Sequence, residues 1–385
     1  MMAVHRLRGS AAIVGAGQAG IGEAPGRSPF DLIGDATRAA LDDCGLKLSD
    51  IDGVFSATMI NSMPAISVAE YLGLRPRVTE GTNTGGSSFL AHMQWAALAL
   101  DAGLCEVALI TYGSNQRTGA GKFVTTSETV AWEAPYKPRY PVSAYALAAA
   151  RHMHEFGTTR AQLAEVAVAA RTWANLNPEA FARGPLSIED VLAARMLSDP
   201  LTVKDCCLVT DGAGAIIMTR ADRARDFPKA PVYMLGVAAE NWHRWVSSMP
   251  DLTTTSASRS GPRAMEMAGV SHADLDLVML YDAFTITPVL FLEDLGFCPK
   301  GEGGRFVADG KLRHGGGFAL NTNGGGLSCV HPGMYGLFLL IEAVRQLRGE
   351  CGARQLDAPK TALCHGNGGH WSSQVTAILG LEETL

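Results

Sequence analysis

Cys44-Gly45-Leu46-Lys47-Leu48-Ser49-Asp50-Ile51-Asp52-Gly53-Val54 returns later in the chain as Ala268-Gly269-Val270-Ser271-His272-Ala273-Asp274-Leu275-Asp276-Leu277-Val278. Gly45 to Gly269 and Asp52 to Asp276 are separated by the same 224 positions. In both copies a helical pattern ends at Gly, and an Asp-apolar-Asp turn leads into an apolar run. Gly past a helix end takes the left-handed conformation at little cost, so each copy reads as helix, turn, strand. Repetition at this distance implies two similar α/β halves rather than two unrelated domains.

A second correspondence follows the first. Asn83-Thr84-Gly85-Gly86 precedes an apolar helix over 88–100 and the strand VALIT at 107–111. Asn323-Gly324-Gly325-Gly326 precedes an apolar helix over 337–347 and a strand over 361–364. Each half thus supplies one Gly-rich loop, and the two loops are expected to face a shared site. Other predicted strands are 11–15, from 54, and 213–219, with a helix over 31–43. Between residues 115 and 200 the character changes. Trp132, Pro135, Tyr136, Pro138, Tyr140 and Pro141 form an irregular aromatic stretch, and helices are predicted over 144–156 and 160–176. This block reads as an insertion between sheet elements, its aromatic part shaping either an apolar pocket or a subunit interface.

Composition narrows the function classes. The 385 residues carry a net charge of -6 with no long basic run, which argues against a nucleic-acid ligand. The eight cysteines are scattered without a C-x-x-C pair, so zinc or another metal held by this chain is not expected, and reduced thiols in a cytoplasm are. The first twenty residues are too short and too broken in hydropathy for a membrane helix and fit a signal peptide poorly, so no membrane association is expected.

Two motifs mislead. Gly15-Ala16-Gly17-Gln18-Ala19-Gly20 matches a dinucleotide fingerprint but runs into Ile21-Gly22-Glu23-Ala24-Pro25-Gly26, a poor helix start, and no strand with a terminal acid follows at the right distance. His314-Gly315-Gly316-Gly317 has the look of an esterase oxyanion loop, yet the chain has no G-x-S-x-G elbow. His152 and His154 share a predicted helix without H-E-x-x-H spacing and read as polar helix-face residues.

Taken in order, the remaining motifs resemble the thiolase superfamily over nearly the whole chain. Ser198-Asp199-Pro200-Leu201-Thr202 with Asp211-Gly212-Ala213-Gly214-Ala215 is similar to the segment closing the first half. Tyr281-Asp282-Ala283-Phe284 occupies the place of N-E-A-F or H-D-C-F, followed by Glu293-Asp294-Leu295-Gly296. Asn321-Thr322-Asn323-Gly324-Gly325 and His331-Pro332-Gly333 resemble the glycine loop and G-H-P motif, and Cys364-His365-Gly366 resembles C-x-G. The branch it looks most like is the sterol-carrier-protein type and its thiolase-like relatives. The resemblance implies a thiolase fold, two similar α/β halves in a five-layer αβαβα arrangement. The halves are expected at 1–225, with the insertion at about 115–200, and at 226–385.

The resemblance breaks where a thiolase is most constrained. A thiolase needs a cysteine at the tip of the buried helix of its first half, where the helix N-terminus favours a thiolate. Aligned on Gly86-Ser87-Ser88, that position is Asn83, which cannot form an acyl-enzyme. Tyr281 stands in place of Asn or His, Ala283 in place of Cys, and Val330 in place of the Gly of G-H-P. What the resemblance retains is thioester binding and polarisation: His331 as the oxyanion histidine, Cys364 as the acid/base cysteine with His365 beside it, and Asn83, Gly325 and Gly366 near the substrate. Tyr281 and Tyr335 fall in loops that meet at the family's active site, and a phenol can give or take a proton.

An enolate pocket without a nucleophile suits retro-aldol cleavage of a 3-hydroxyacyl-CoA to a ketone or aldehyde and a shorter acyl-CoA. Thiolase-like aldolases that shorten steroid side chains are similar, with tyrosines in place of thiolase residues, so a steroid thioester is a candidate substrate. Tyr281 and Tyr335 would handle protons and His331 would hold the enolate oxygen. No cofactor is expected beyond CoA as part of the substrate. The resemblance further implies a homodimer and a small partner subunit with an OB-fold and zinc ribbon. A variant acyltransferase using Cys364 and a non-catalytic CoA- or lipid-binding scaffold are the alternatives.

Overall fold

The stretch Gly15-Ala16-Gly17-Gln18-Ala19-Gly20 is strand, not a phosphate loop. In the computed structural model, which describes residues 5–58, 61–119 and 130–385, β1 runs Ala11–Gly22 and α1, Pro29–Cys44, lies across it. A Cβ on Gly15 would stand 2.3 Å from the Ala40 carbonyl oxygen, and one on Gly17 2.5 Å from the Ala40 nitrogen. The glycines therefore serve close approach of a helix backbone to a strand. Residues 120–129 of the expected insertion lie outside the described residues.

The remaining strands are β2 (Gly53–Ser56), β3 (Val78–Glu80), β4 (Val107–Ser114), the short pair β5 (Met196–Ser198) and β6 (Leu201–Thr202), β7 (Asp211–Arg220), β8 (Val232–Asn241), β9 (Leu277–Leu280), β10 (Thr361–Gly368) and β11 (Ser373–Gly380). The helices after α1 are α2 (Pro64–Tyr71), α3 (Ser88–Asp101), α4 (Val142–Phe156), α5 (Arg160–Asn175), α6 (Ile188–Leu192), α7 (Ala221–Ala224), α8 (Ala257–Ala268), α9 (Ile286–Asp294), α10 (Gly303–Phe306) and α11 (Gly336–Leu347). Among the described residues no helix is long and apolar enough to cross a membrane.

The main sheet runs β3-β2-β4-β7-β1-β8-β11-β10-β9. It is two repeats of one topology joined at a narrow seam, where Ala12 pairs Tyr233 and Ile13 pairs Val232. In the first repeat β2 is parallel to β4, β4 antiparallel to β7 and β7 antiparallel to β1. In the second, β9 is parallel to β10, β10 antiparallel to β11 and β11 antiparallel to β8. β3, at the edge of the first repeat, is matched in the second by a single parallel bridge between Val278 of β9 and Leu320. α1 covers the outside of the first repeat and α8 the outside of the second, while α3 and α11 touch each other and strands of both. That order is helix, sheet, helix, sheet, helix. Being sandwiched explains why α3 is apolar nearly all round: Phe89, Leu90, Met93, Ala96, Ala97 and Leu100 are all buried.

The sequence repeat marks equivalent joints. Gly45 caps α1 at φ 74° and Gly269 caps α8 at φ 68°, both left-handed. Asp52 then accepts the backbone N–H groups of Glu106 (2.8 Å) and Val107 (2.9 Å), where β4 begins. Asp276 does the same for Lys360 (2.8 Å) and Thr361 (3.0 Å), where β10 begins. A carboxylate bonded to two N–H groups is worth about 1.5–3 kcal/mol per bond, and here it sets the register of each parallel pair.

His152 departs from expectation. It is buried rather than a surface helix-face residue, bridging Thr158 Oγ1 and Glu293 Oε1, each at 2.9 Å. It ties α4 of the insertion to α9 of the second half. His154 is exposed as expected.

Candidate active site

Where the two halves meet, a cavity of about 140 Å³ is lined by Gly85 and Gly86 before α3, Tyr140 and Tyr145 from the insertion, and Tyr281, His331 and Asn367 from the second half. Tyr281 directly follows β9, and its N–H donates to the His365 carbonyl at 3.0 Å, so its backbone continues the parallel ladder out of the sheet. His331 lies in the loop before α11. Its N–H donates to Thr210 Oγ1 at 3.0 Å, and the neighbouring Pro332 carbonyl accepts the Tyr112 hydroxyl of β4. First-half strands thus fix the position of a second-half histidine.

The Tyr281 hydroxyl sits at the centre. It meets His331 Nε2 at 3.0 Å and accepts the Tyr335 backbone N–H at 3.0 Å. Its ring fills the space beside Gly86, where a Cβ would stand 2.1 Å from Tyr281 Cε2. Burial holds His331 down at about 4, since the imidazolium cannot be solvated there. Burial likewise pushes the Tyr281 phenol well above its ordinary value. At neutral pH the pair is a neutral imidazole beside a protonated phenol. Behind it, Asp282 accepts the N–H groups of Gly326 (2.6 Å) and Leu327 (3.3 Å), and burial raises it to about 7.

The other expected site residues are placed differently. The Tyr335 hydroxyl donates to Asn323 Oδ1 at 3.0 Å, and the fully buried side chain does not line the cavity, so its contribution at the site is its backbone N–H. His365 is buried with both ring nitrogens engaged, Nδ1 by Thr376 Oγ1 and Nε2 by Gln374 Oε1, each at 2.8 Å. Its side chain is committed to β10–β11 packing. Cys364 is buried one position earlier, its thiol directed at the Leu339 carbonyl at 3.6 Å and pushed up by burial. His365 and Cys364 line neither this cavity nor its neighbour. Gly325 and Gly366 are packing positions: a Cβ would stand 2.0 Å from Asp282 Oδ2 at the first and 3.0 Å from Leu90 Cδ1 at the second. Asn83 is exposed and lines the neighbouring cavity, its Oδ1 accepting the Gly85 N–H at 2.9 Å. The Gly-rich loops do share a turn, since Asn323 Oδ1 accepts the Gly325 N–H at 2.8 Å.

Several lining residues escaped the sequence reading, Tyr145, Asn367, His370 and Cys207 among them. Tyr145 and Asn367 face each other, the Asn367 amide donating to the Tyr145 hydroxyl at 2.7 Å and that hydroxyl donating to the Gly369 carbonyl at 3.1 Å. His370 stacks on Tyr140 at 4.1 Å. Cys207 lines the cavity with its thiol pushed well up by burial, and so protonated. Tyr140 and Pro141 resolve the aromatic block: they shape this pocket, whereas Trp132 and Tyr136 stay exposed.

A cavity between two topologically equivalent halves, with a histidine and a phenol closing on one helix tip, defines a thiolase-fold site. Residues 238–381 match the family Thiolase C-terminal domain-like. The chain is 35% identical over 379 residues to an acetyl-CoA acetyltransferase of Methanothermobacter thermautotrophicus, covering 93% of this chain and 96% of that one. It is 35% identical over 360 residues to the 17-hydroxy-3-oxo-4-pregnene-20-carboxyl-CoA lyase of Mycobacterium tuberculosis, covering 89% and 92%. It superposes on the solved Ltp2-ChsH2(DUF35) aldolase with a TM-score of 0.90 at 31% identity, covering 100% of both chains. The chain belongs to the thiolase superfamily, in the branch of sterol-carrier-protein-type thiolase-like aldolases.

Proposed function

We propose that this protein cleaves the C2–C3 bond of a 3-hydroxyacyl-CoA by retro-aldol chemistry, releasing a ketone or aldehyde and a shorter acyl-CoA. The observation that carries the proposal is the Tyr281–His331 pair: a protonated phenol 3.0 Å from a neutral imidazole, packed on Gly86 at the helix tip where the thiolase cysteine's position is taken by Asn83. With His331 carrying its own proton on Nδ1, Nε2 accepts from Tyr281. Tyr281 takes the substrate's C3 hydroxyl proton as its own proton passes to Nε2. The C2–C3 electrons move into the thioester as an enolate, C3 becomes the carbonyl carbon, and the C2–C3 bond is broken. The imidazolium offsets the enolate charge. The proton then returns through Tyr281 to C2, so the reaction consumes none. The Tyr335 N–H holds the Tyr281 oxygen in place throughout.

Relatives that act as a steroid side-chain-cleaving aldolase and as a pregnene-carboxyl-CoA lyase support a steroid thioester as the substrate. The superposed aldolase carries a ChsH2(DUF35) component, which supports a small partner subunit here; an OB-fold and zinc ribbon in it, a homodimer, and a cytoplasmic location are parts of the same reading. No cofactor enters the steps beyond the CoA of the substrate. The test is incubation of the protein, with and without such a partner, with a 3-hydroxyacyl-CoA while both products are followed. Formation of neither product under both conditions rejects the reading.

A second reading, acyl transfer, draws on the acetyltransferase relative. Its nucleophile would be Cys207, which lines the cavity, rather than Cys364, which does not. A thiol pushed up by burial has to lose its proton first. An acyl group trapped on Cys207 by mass spectrometry would establish this reading over the first.

A further inference from the structure

The reaction cavity is not closed. Beside it lies a larger cavity of about 390 Å³ walled by Asn83, Asn241, His243, Arg244 and Trp245, and Gly85, Gly369 and His370 belong to both. The inner cavity, at about 140 Å³, is the smaller of the two, so a large substrate that reaches Tyr281 extends past the shared residues into the outer one.

His370 is built as the divider. Its ring stacks on Tyr140 at 4.1 Å, an inner-cavity residue, and faces Trp245 at 5.8 Å, an outer-cavity residue. Its backbone is fixed. The carbonyl accepts from His243 Nε2 at 3.1 Å, the N–H donates to Ser372 Oγ at 3.1 Å, and the next residue, Trp371, is fully buried at φ 65°. Its Nδ1 is buried without a hydrogen-bond partner, and so is Nδ1 of His243. Buried polar atoms of this kind are satisfied in working proteins, so two unpaired ring nitrogens on residues that wall one cavity are reason to expect a ligand whose polar group pairs with them once the rings adjust. Trp245, covered by the Arg244 guanidinium at 4.8 Å, supplies an aromatic wall. Together these features fit a bulky, mostly apolar group bearing an oxygen function.

We propose that the outer cavity holds the bulky oxygen-bearing group attached to C3, the part that leaves as the carbonyl product, and that His370 determines how large that group can be. The proposal rests on the retro-aldol reading and assigns its specificity. The competing occupant of the outer cavity is the CoA arm.

The experiment measures kcat/KM for two 3-hydroxyacyl-CoA thioesters, one carrying a small alkyl group at C3 and one a polycyclic group, on the protein with its partner. Wild type is compared with His370→Ala, which widens the divide, and His370→Trp, which narrows it; His370→Phe keeps the stacking if either fails to fold. The ratio of polycyclic to small activity is expected to rise at least threefold in His370→Ala and to fall at least tenfold in His370→Trp. In His370→Phe that ratio stays nearer to wild type than in either. A ratio that stays put, or moves the same way in both, overturns the assignment. So does a loss of affinity for CoA alone that matches the loss for both thioesters, since the outer cavity would then hold the CoA arm. If wild type releases no product from either thioester, the retro-aldol reading itself falls; product from the small one alone keeps that reading while the ratio decides this one.

Discussion

The Tyr281 hydroxyl lies 3.0 Å from His331 Nε2 while accepting the Tyr335 backbone N–H at 3.0 Å, so one phenol oxygen joins a side chain and a main chain that flank the same cavity. Removing that oxygen separates chemistry from scaffold. Tyr281→Phe is expected to lower kcat by about 10²- to 10⁴-fold, the usual range for a positioned acid–base group, with a smaller change in KM. It also leaves the buried Tyr335 N–H unpaired, at about 1–3 kcal/mol of stability. Steady-state kinetics and chemical denaturation read the two effects separately.

Tyr335→Phe should behave differently. Its hydroxyl serves Asn323, away from the cavity lining, and its backbone N–H survives the substitution. The expected result is kcat within about tenfold of wild type and a loss of about 1 kcal/mol in stability. A loss of kcat equal to that of Tyr281→Phe would give the Tyr335 phenol a direct part in proton transfer.

The helix tip offers a steric test. In Gly86→Ala the new methyl would stand 2.1 Å from Tyr281 Cε2 and 2.6 Å from its hydroxyl. Tyr281 has to move, so turnover should fall at least tenfold with an overpacking cost of about 1–3 kcal/mol. Retention of full turnover would show that Tyr281 can act from another position.

Cys364→Ala should keep lyase turnover near wild type, because the thiol lies off both cavities and makes one contact to the Leu339 carbonyl. A collapse of kcat in a folded Cys364→Ala protein would return this cysteine to the chemistry. Product assays together with a thermal melt distinguish that from misfolding.

Acid should destabilise the fold through its buried histidines. His92, His331, His365 and His370 are each held down at about 4, in every case by burial. The unfolded chain binds these protons near pH 6.5 and the folded chain only near 4. Stability from these groups is therefore complete above about pH 6.5 and is lost as pH falls from there toward 4. The melting temperature is expected to be flat from pH 8 to 7 and to drop progressively below 6.5. His365→Gln, which removes one of the four, should lessen that drop. The acid limb of kcat/KM, which needs neutral His331, should lie well below pH 6.5.

The sequence by itself determined the duplication. Gly45 and Gly269 had to cap helices, and Asp52 and Asp276 had to sit at strand starts, because capping and turn chemistry are local and leave their mark in residue type. It also determined the family motifs, and with them Tyr281 and His331, whose loops follow directly from the strand and helix that carry them. Strands β8 and β11 carried no comparable signal, and of helix α8 only the end at Gly269 was marked. The tertiary structure alone decided which side chains face the cavity. Neighbours on a strand point to opposite faces, and a motif fixes a position without fixing its direction. Thus Cys364 turns to the opposite face from His365; His365 and Asn367 share a face and both bond Gln374, but only Asn367, two residues further along β10, reaches the cavity, and Tyr335 contributes its N–H rather than its phenol. Tyr140, Tyr145 and Cys207 meet Tyr281 only because the two halves close on one another, and His370 joins them from a turn far from Tyr281 in sequence, relations between distant segments that no local pattern encodes.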